Sequence, residues 1–147
     1  LLVLMFGWRL ALIGLAVVLA GVTLSGRSGV SAYGLNALLL SVVPVLVSHA
    51  VQRAAERWLT RHFFVYVFVH GFFNAAIAMA ATGMLSALVF LAGGVYPWER
   101  LASDYLPVYL LMVFPEAILT GSTISLMVVY RPAWVGSFDD ELYLKNK

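Results

Sequence analysis

The chain has 147 residues, 63% of them hydrophobic and only 11% charged, with a formal charge of +2 and a mean hydropathy of +0.95. Soluble domains carry about 25% charged residues, so seven acidic and nine basic side chains are too few to cover a water-facing surface. This excludes a soluble enzyme, a disordered chain and a nucleic-acid binder, and leaves an integral membrane protein built from helices. The first apolar run covers residues 1–24, is broken only by Arg9, and ends in the loop composition Ser25-Gly26-Arg27-Ser28-Gly29. The second covers residues 30–51 and contains Pro44. Residues 52–62 follow, where Arg53, Arg57 and Arg61 recur every four positions beside Glu56, a pattern for an amphipathic helical turn at the membrane surface.

The third run, residues 63–94, is longer than the roughly 20 residues a span needs. It is expected either to tilt or to lay its aromatic start, Phe63, Phe64, Tyr66 and Phe68, near the interface. Residues 95–104 are expected to form a loop around Pro97, Trp98, Glu99, Arg100 and Asp104. The fourth run, residues 105–130, holds Pro107 and Pro115 and stops at Arg131-Pro132. The polar tail, residues 131–147, carries Asp139, Asp140, Glu141, Lys145 and Lys147.

The fold expected is therefore all-α: one transmembrane domain of four spans, forming the C-terminal part of a six- or seven-helix bundle. A chain that begins at Leu1, with no charged leader or small-residue cleavage site, does not read as a signal peptide. Six of the lysines and arginines near span ends fall in residues 52–62 and the tail, against two in the other loops. That bias places both segments in the cytoplasm of a bacterial inner membrane. Trp58, Trp98, Tyr105 and Trp134 stand near the span boundaries, as an aromatic belt does.

Polar residues at membrane depth carry the functional signal, because a charge at the centre of a span costs about 2.5–3.5 kcal/mol. Glu116 lies mid-span beside Pro115, which removes a backbone donor and allows a kink. It suits a ligand or gating site, or a protonated interhelical hydrogen bond. His70 and Asn74 are four apart and share a helix face. They could ligate a metal, relay a proton or hold helices together, although a metal site would want three or more ligands. Asn36, one turn into the second span, needs a partner on another helix or a polar cavity.

Arg53, Arg57 and Arg61 are expected to face anionic lipid or a cytoplasmic partner. His49 reads as interfacial, His62 as solvated, and Arg9 as able to snorkel. Gly71/Ala75, Ala76/Ala80, Gly83/Ala87 and Gly121/Ser125 are small-residue pairs suited to close helix packing. With no cysteine, thiolate chemistry is excluded. No nucleotide-binding, zinc-protease or serine-hydrolase motif is present, so the chain does not read as an enzyme.

Two stretches carry a family likeness. Leu4-Met5-Phe6-Gly7-Trp8-Arg9-Leu10-Ala11, continuing to Gly29-Val30-Ser31-Ala32-Tyr33-Gly34-Leu35-Asn36, resembles the CbiM-like substrate-capture permeases of energy-coupling factor transporters for cobalt and nickel. Tyr105-Leu106-Pro107, Phe114-Pro115-Glu116-Ala117, Val129-Tyr130-Arg131-Pro132 with Trp134, Phe138-Asp139-Asp140 and Tyr143-Leu144 are similar to a shorter bacterial branch grouped with that family. The resemblance implies a helical membrane module that works with a coupling transmembrane protein and ATP-binding cassette subunits, with Co or Ni as the transported ion and no cofactor of its own. In those permeases a Met-His start and a further histidine hold the metal, upstream of the Phe-Gly-Trp stretch. The resemblance therefore places no metal ligand on any residue of this sequence. The alternative reading is an accessory subunit of a larger membrane complex, docking through its basic loop and its Asp139-Asp140-Glu141 tail.

Overall fold

A computed structural model describes residues 1–27 and 29–139, and Tyr143. Four long helices make up the described chain: α1 (Leu2–Leu24), α2 (Val30–Trp58), α3 (Phe63–Ala92) and α4 (Trp98–Tyr130). A short 3₁₀ turn, Pro132–Trp134, follows them. Among the described residues there is no strand. All four helices are long and apolar enough to cross a bilayer. Large apolar side chains such as Ile13, Val17, Leu110, Phe114 and Leu119 point outward, as lipid-facing residues do. The chain is a multi-pass membrane protein.

Two helices outrun their apolar stretches. α2 continues past the apolar run to Trp58, as the amphipathic pattern of residues 52–62 suggested: Gln52 and Ala55 turn inward and are buried while Arg53, Glu56 and Arg57 stay exposed. α4 begins at Trp98, seven residues before the expected start and within the expected loop. Pro97 fixes the entering backbone in an extended conformation, and Glu99 sits in the first turn, where negative charge complements the helix dipole. The ends are built from glycine. Gly26 and Gly94 adopt positive φ (74° and 64°). The following amides close back five residues, Arg27 N–H to the Val22 carbonyl at 3.3 Å and Val95 N–H to the Phe90 carbonyl at 3.0 Å.

Gly7 interrupts α1 with φ 79° and ψ 168°, a conformation essentially confined to glycine. The short helical piece before it would end on open carbonyls. Those carbonyls are taken by the far end of the chain. Gly136 N–H donates to the Met5 carbonyl at 3.1 Å, and Ser137 N–H to the Leu4 carbonyl at 3.1 Å.

Three stretches widen into π-helical turns: Leu38–Val42, Tyr66–Phe73 and Leu101–Tyr105. The first and third stand just ahead of Pro44 and Pro107, which cannot donate to the carbonyls of Leu40 and Ser103, so the ladder reorganises there. The second has no proline to account for it. Pro115 offers no amide to the Leu111 carbonyl, yet α4 runs through it as one helix.

The tightest helix contact joins α3 to α4. A methyl group added at Gly71 would lie 3.2 Å from the Gly121 Cα, and one added at Gly121 would fall on the Phe72 ring. The small-residue positions thus let two backbones approach. Leu4, Tyr66, Ile124, Val128, Val135 and Phe138 form one core cluster; Val3, Ala11 and Val45 form another. The first cluster gathers the start of α1, the start of α3 and the end of α4 at one end of the bundle.

Candidate functional site

All four helices, α1 through its first residues and Leu15, line a partly open cavity of about 420 Å³. Its walls are mostly apolar, and seven side chains with polar groups interrupt them: Ser48, His70, Asn74, Thr82, Tyr109, Glu116 and Thr120. Three of the four residues expected from sequence to line a substrate path therefore meet in one place. His70 and Asn74 enter, buried, from one face of α3, and Glu116, itself exposed, borders the cavity from α4. Asn36 is not among the lining residues; it is half-buried one end further along α2, on the side where Leu40 borders the cavity.

The polar groups differ in how they are satisfied. Thr82 Oγ1 donates to the Ala78 carbonyl at 2.8 Å, bonding within its own helix. Thr120 Oγ1 donates to Glu116 Oε1 at 3.2 Å, fixing the carboxylate from one turn away. His70 and Asn74 are 3% and 2% exposed, yet His70 Nδ1 and Asn74 Oδ1 have no hydrogen-bond partner. A buried polar atom left unpaired costs about 1–3 kcal/mol. Gln52 Nε2, buried further along α2, is also unpaired. Among the described residues, no three His, Cys, Asp or Glu side chains come close enough to hold a metal ion by themselves.

His70 leads from the cavity to a second polar feature. Its ring stacks on Tyr66, with centroids 4.9 Å apart and planes 17° from parallel. Tyr66 is fully buried. Phe64 and Phe68 face outward, and Tyr66 is on the opposite side of α3. Phe138 and Tyr143 close over its ring at 4.9 Å and 5.0 Å. Burial raises the Tyr143 phenol above the ordinary tyrosine range, and the Glu56 carboxylate adds to this while Arg61 opposes it.

Sequence reasoning passed over Ser48, Thr120 and Tyr66 as site elements. Serine and threonine within helices most often bond their own backbone, so nothing in their type marks Ser48, Thr82 and Thr120 as the ones that face a cavity. Arg53, Arg57 and Arg61 are exposed, alongside a Trp58 that is 80% exposed. His49 is half-buried against Trp8, with ring centroids 5.9 Å apart. Of the acidic tail, Asp139 is described; Asp140, Glu141, Lys145 and Lys147 lie outside the described residues.

Comparison with curated proteins and with solved structures finds no match. A family model does match, over residues 1–134: CbiM, described as the cobalt uptake substrate-specific transmembrane region. With nearly the whole described chain covered, its four spanning helices and polar cavity included, the chain belongs to the CbiM family of cobalt-uptake transporters.

Proposed function

We propose that the chain is the membrane permease that captures substrate for an energy-coupling factor uptake system, with a divalent transition metal such as Co or Ni as its cargo. The observation that carries this reading is the cavity in which His70, Asn74 and Glu116 converge within a chain of cobalt-uptake family. Glu116 brings a negative charge to the border of the cavity, and His70 and Asn74 offer buried nitrogen and oxygen donors suited to such ions. The chain sits in the bacterial inner membrane with its C-terminus cytoplasmic, on the lysine and arginine bias of its loops. It works with a coupling transmembrane protein and ATP-binding cassette subunits, since it carries no nucleotide motif of its own.

The test is recovery of the tagged full-length protein from its native membrane in mild detergent, followed by mass spectrometry and by uptake of radioactive cobalt in cells. Copurification of an ATP-binding cassette subunit and a coupling protein, with uptake that depends on the chain, is the expected result. Recovery of an unrelated membrane complex without uptake would make the chain an accessory subunit. If Glu116→Gln and His70→Ala both leave uptake and metal binding unchanged, the cavity is not the substrate path.

A further inference from the structure

We infer that the seam between α1 and α2 seats the headgroup of one anionic phospholipid, with Arg9, His49 and Arg53 reaching its phosphate and Trp8 packing beside it. The inference makes no use of the cavity and stands whatever cargo the chain carries.

Two helices bring these residues together. α1 and α2 run antiparallel: the Tyr33 hydroxyl bonds the Ala16 carbonyl at 3.3 Å, and Trp8 meets His49 with ring centroids 5.9 Å apart. Arg9 folds its guanidinium over the same indole, 5.4 Å from the ring centroid. Guanidinium and imidazole thus stand against one Trp8 ring, contributed from opposite sides of the seam. Arg53 follows His49 by four residues and shares its helix face. At 1.5 Å per residue it lies about 6 Å nearer the end of α2.

Three observations select the occupant. The first is positive charge without a partner. Arg9 and Arg53 are exposed, and neither forms a salt bridge among the described residues. α1 contains no acidic residue, and Glu56 is the one acid of α2. The planar guanidinium fork matches phosphate oxygens, and the imidazole adds a further N–H. The second is the apolar surface beneath the charge. Ile13 and Val17 follow Arg9 at four-residue intervals and are 61% and 66% exposed; Leu46, also exposed, lies one turn below His49. Cationic groups above an apolar row fit a headgroup with its acyl chain, whereas a free anion would use the charge alone. The third is Trp8 itself, exposed and amphipathic, a residue type that settles where headgroups meet acyl chains. An anionic headgroup is favoured over a zwitterionic one, because a choline or ethanolamine cation would be repelled by Arg9 and Arg53.

The experiment is native mass spectrometry of the full-length protein in mild detergent, titrated with phosphatidylglycerol, phosphatidylcholine or inorganic phosphate. The wild type is expected to hold one phosphatidylglycerol more tightly than it holds phosphatidylcholine. Arg9→Gln should weaken phosphatidylglycerol binding about fivefold, the effect of one basic charge at an anionic headgroup. Arg27→Gln, at the other end of α1, should leave it unchanged. Arg9→Lys, which keeps the charge, should retain the binding. Equal binding of the two lipids would overturn the inference. Equal losses in Arg9→Gln and Arg27→Gln would also overturn it, by reducing the effect to diffuse attraction. A loss in Arg9→Lys as large as that in Arg9→Gln would overturn it by marking a packing defect. Displacement of the lipid by millimolar inorganic phosphate would overturn it in favour of a free-phosphate site.

Discussion

Tyr66 donates its hydroxyl proton to Ser137 Oγ at 2.6 Å, across 71 residues of sequence. The direction follows from counting protons. Ser137 has one hydroxyl proton, and it goes to the Leu4 carbonyl at 2.9 Å, so the Tyr66 hydroxyl must be the donor. The relay Tyr66 to Ser137 to Leu4 thus ties α3, the C-terminal segment and the start of α1 into one polar thread through an aromatic core. It predicts an asymmetry. Tyr66→Phe removes one hydrogen bond and leaves Ser137 paired with Leu4, a loss of about 1 kcal/mol. Ser137→Ala strands a buried phenol hydroxyl and should lose about 1–3 kcal/mol. Thermal unfolding in detergent should rank the wild type above Tyr66→Phe, and Tyr66→Phe above Ser137→Ala.

Gly7 and Gly136 are irreplaceable for different reasons. A methyl group at Gly7 meets no neighbour, but its backbone conformation penalises any L side chain by about 1–3 kcal/mol. At Gly136 the methyl group would sit 2.8 Å from the Met5 carbonyl oxygen, which the Gly136 amide itself bonds. Alanine at either position should lower the unfolding midpoint. Only Gly136→Ala should also expose the Leu4 and Met5 end to faster amide hydrogen exchange at Gly136 and Ser137.

Gly121 and Gly21 offer a contrast in packing. Alanine at Gly121 requires the Phe72 ring to move and should destabilise by about 1–3 kcal/mol, the usual range for overpacking. Alanine at Gly21, where nothing lies within 4 Å, should stabilise α1 by about 0.5–1 kcal/mol. Denaturation of the two variants side by side checks both signs.

Arg53, Arg57 and Arg61, with the protruding Trp58, make a basic collar beyond the apolar part of α2. Each basic charge near an anionic membrane surface contributes about 1 kcal/mol. Replacing all three by Gln should reduce retention of anionic phospholipid on the purified protein, measured by lipid mass spectrometry. Raising the salt concentration should shrink the difference between wild type and variant.

The four spans were visible in the sequence because each is an apolar run longer than a bilayer core. Most of their ends were too, and the four-residue spacing of Arg53 and Arg57 hinted that α2 runs past its apolar stretch; the start of α4 was not, because Glu99 and Arg100 interrupt hydropathy while the helix continues beneath them. His70 and Asn74 were legible as a pair by their spacing, and Glu116 by its depth. That the three share a cavity was not, since spacing relates residues of one helix and says nothing of which faces meet. The π turns had the same obscurity. Two can be traced to Pro44 and Pro107 once seen, while the one at Tyr66–Phe73 left no mark in residue type.

The bonds from Gly136 and Ser137 to Met5 and Leu4 also bear on how the protein is made. A ribosome adding roughly 5–20 residues per second needs about 7–27 s to cover the 133 positions between Leu4 and Ser137. Throughout that interval the carbonyls at the Gly7 break lack their final partners, although the first helices are already emerging. Closure of the Gly7 break therefore waits for residues 136 and 137, and a nascent chain cut short after Tyr130 lacks both donors.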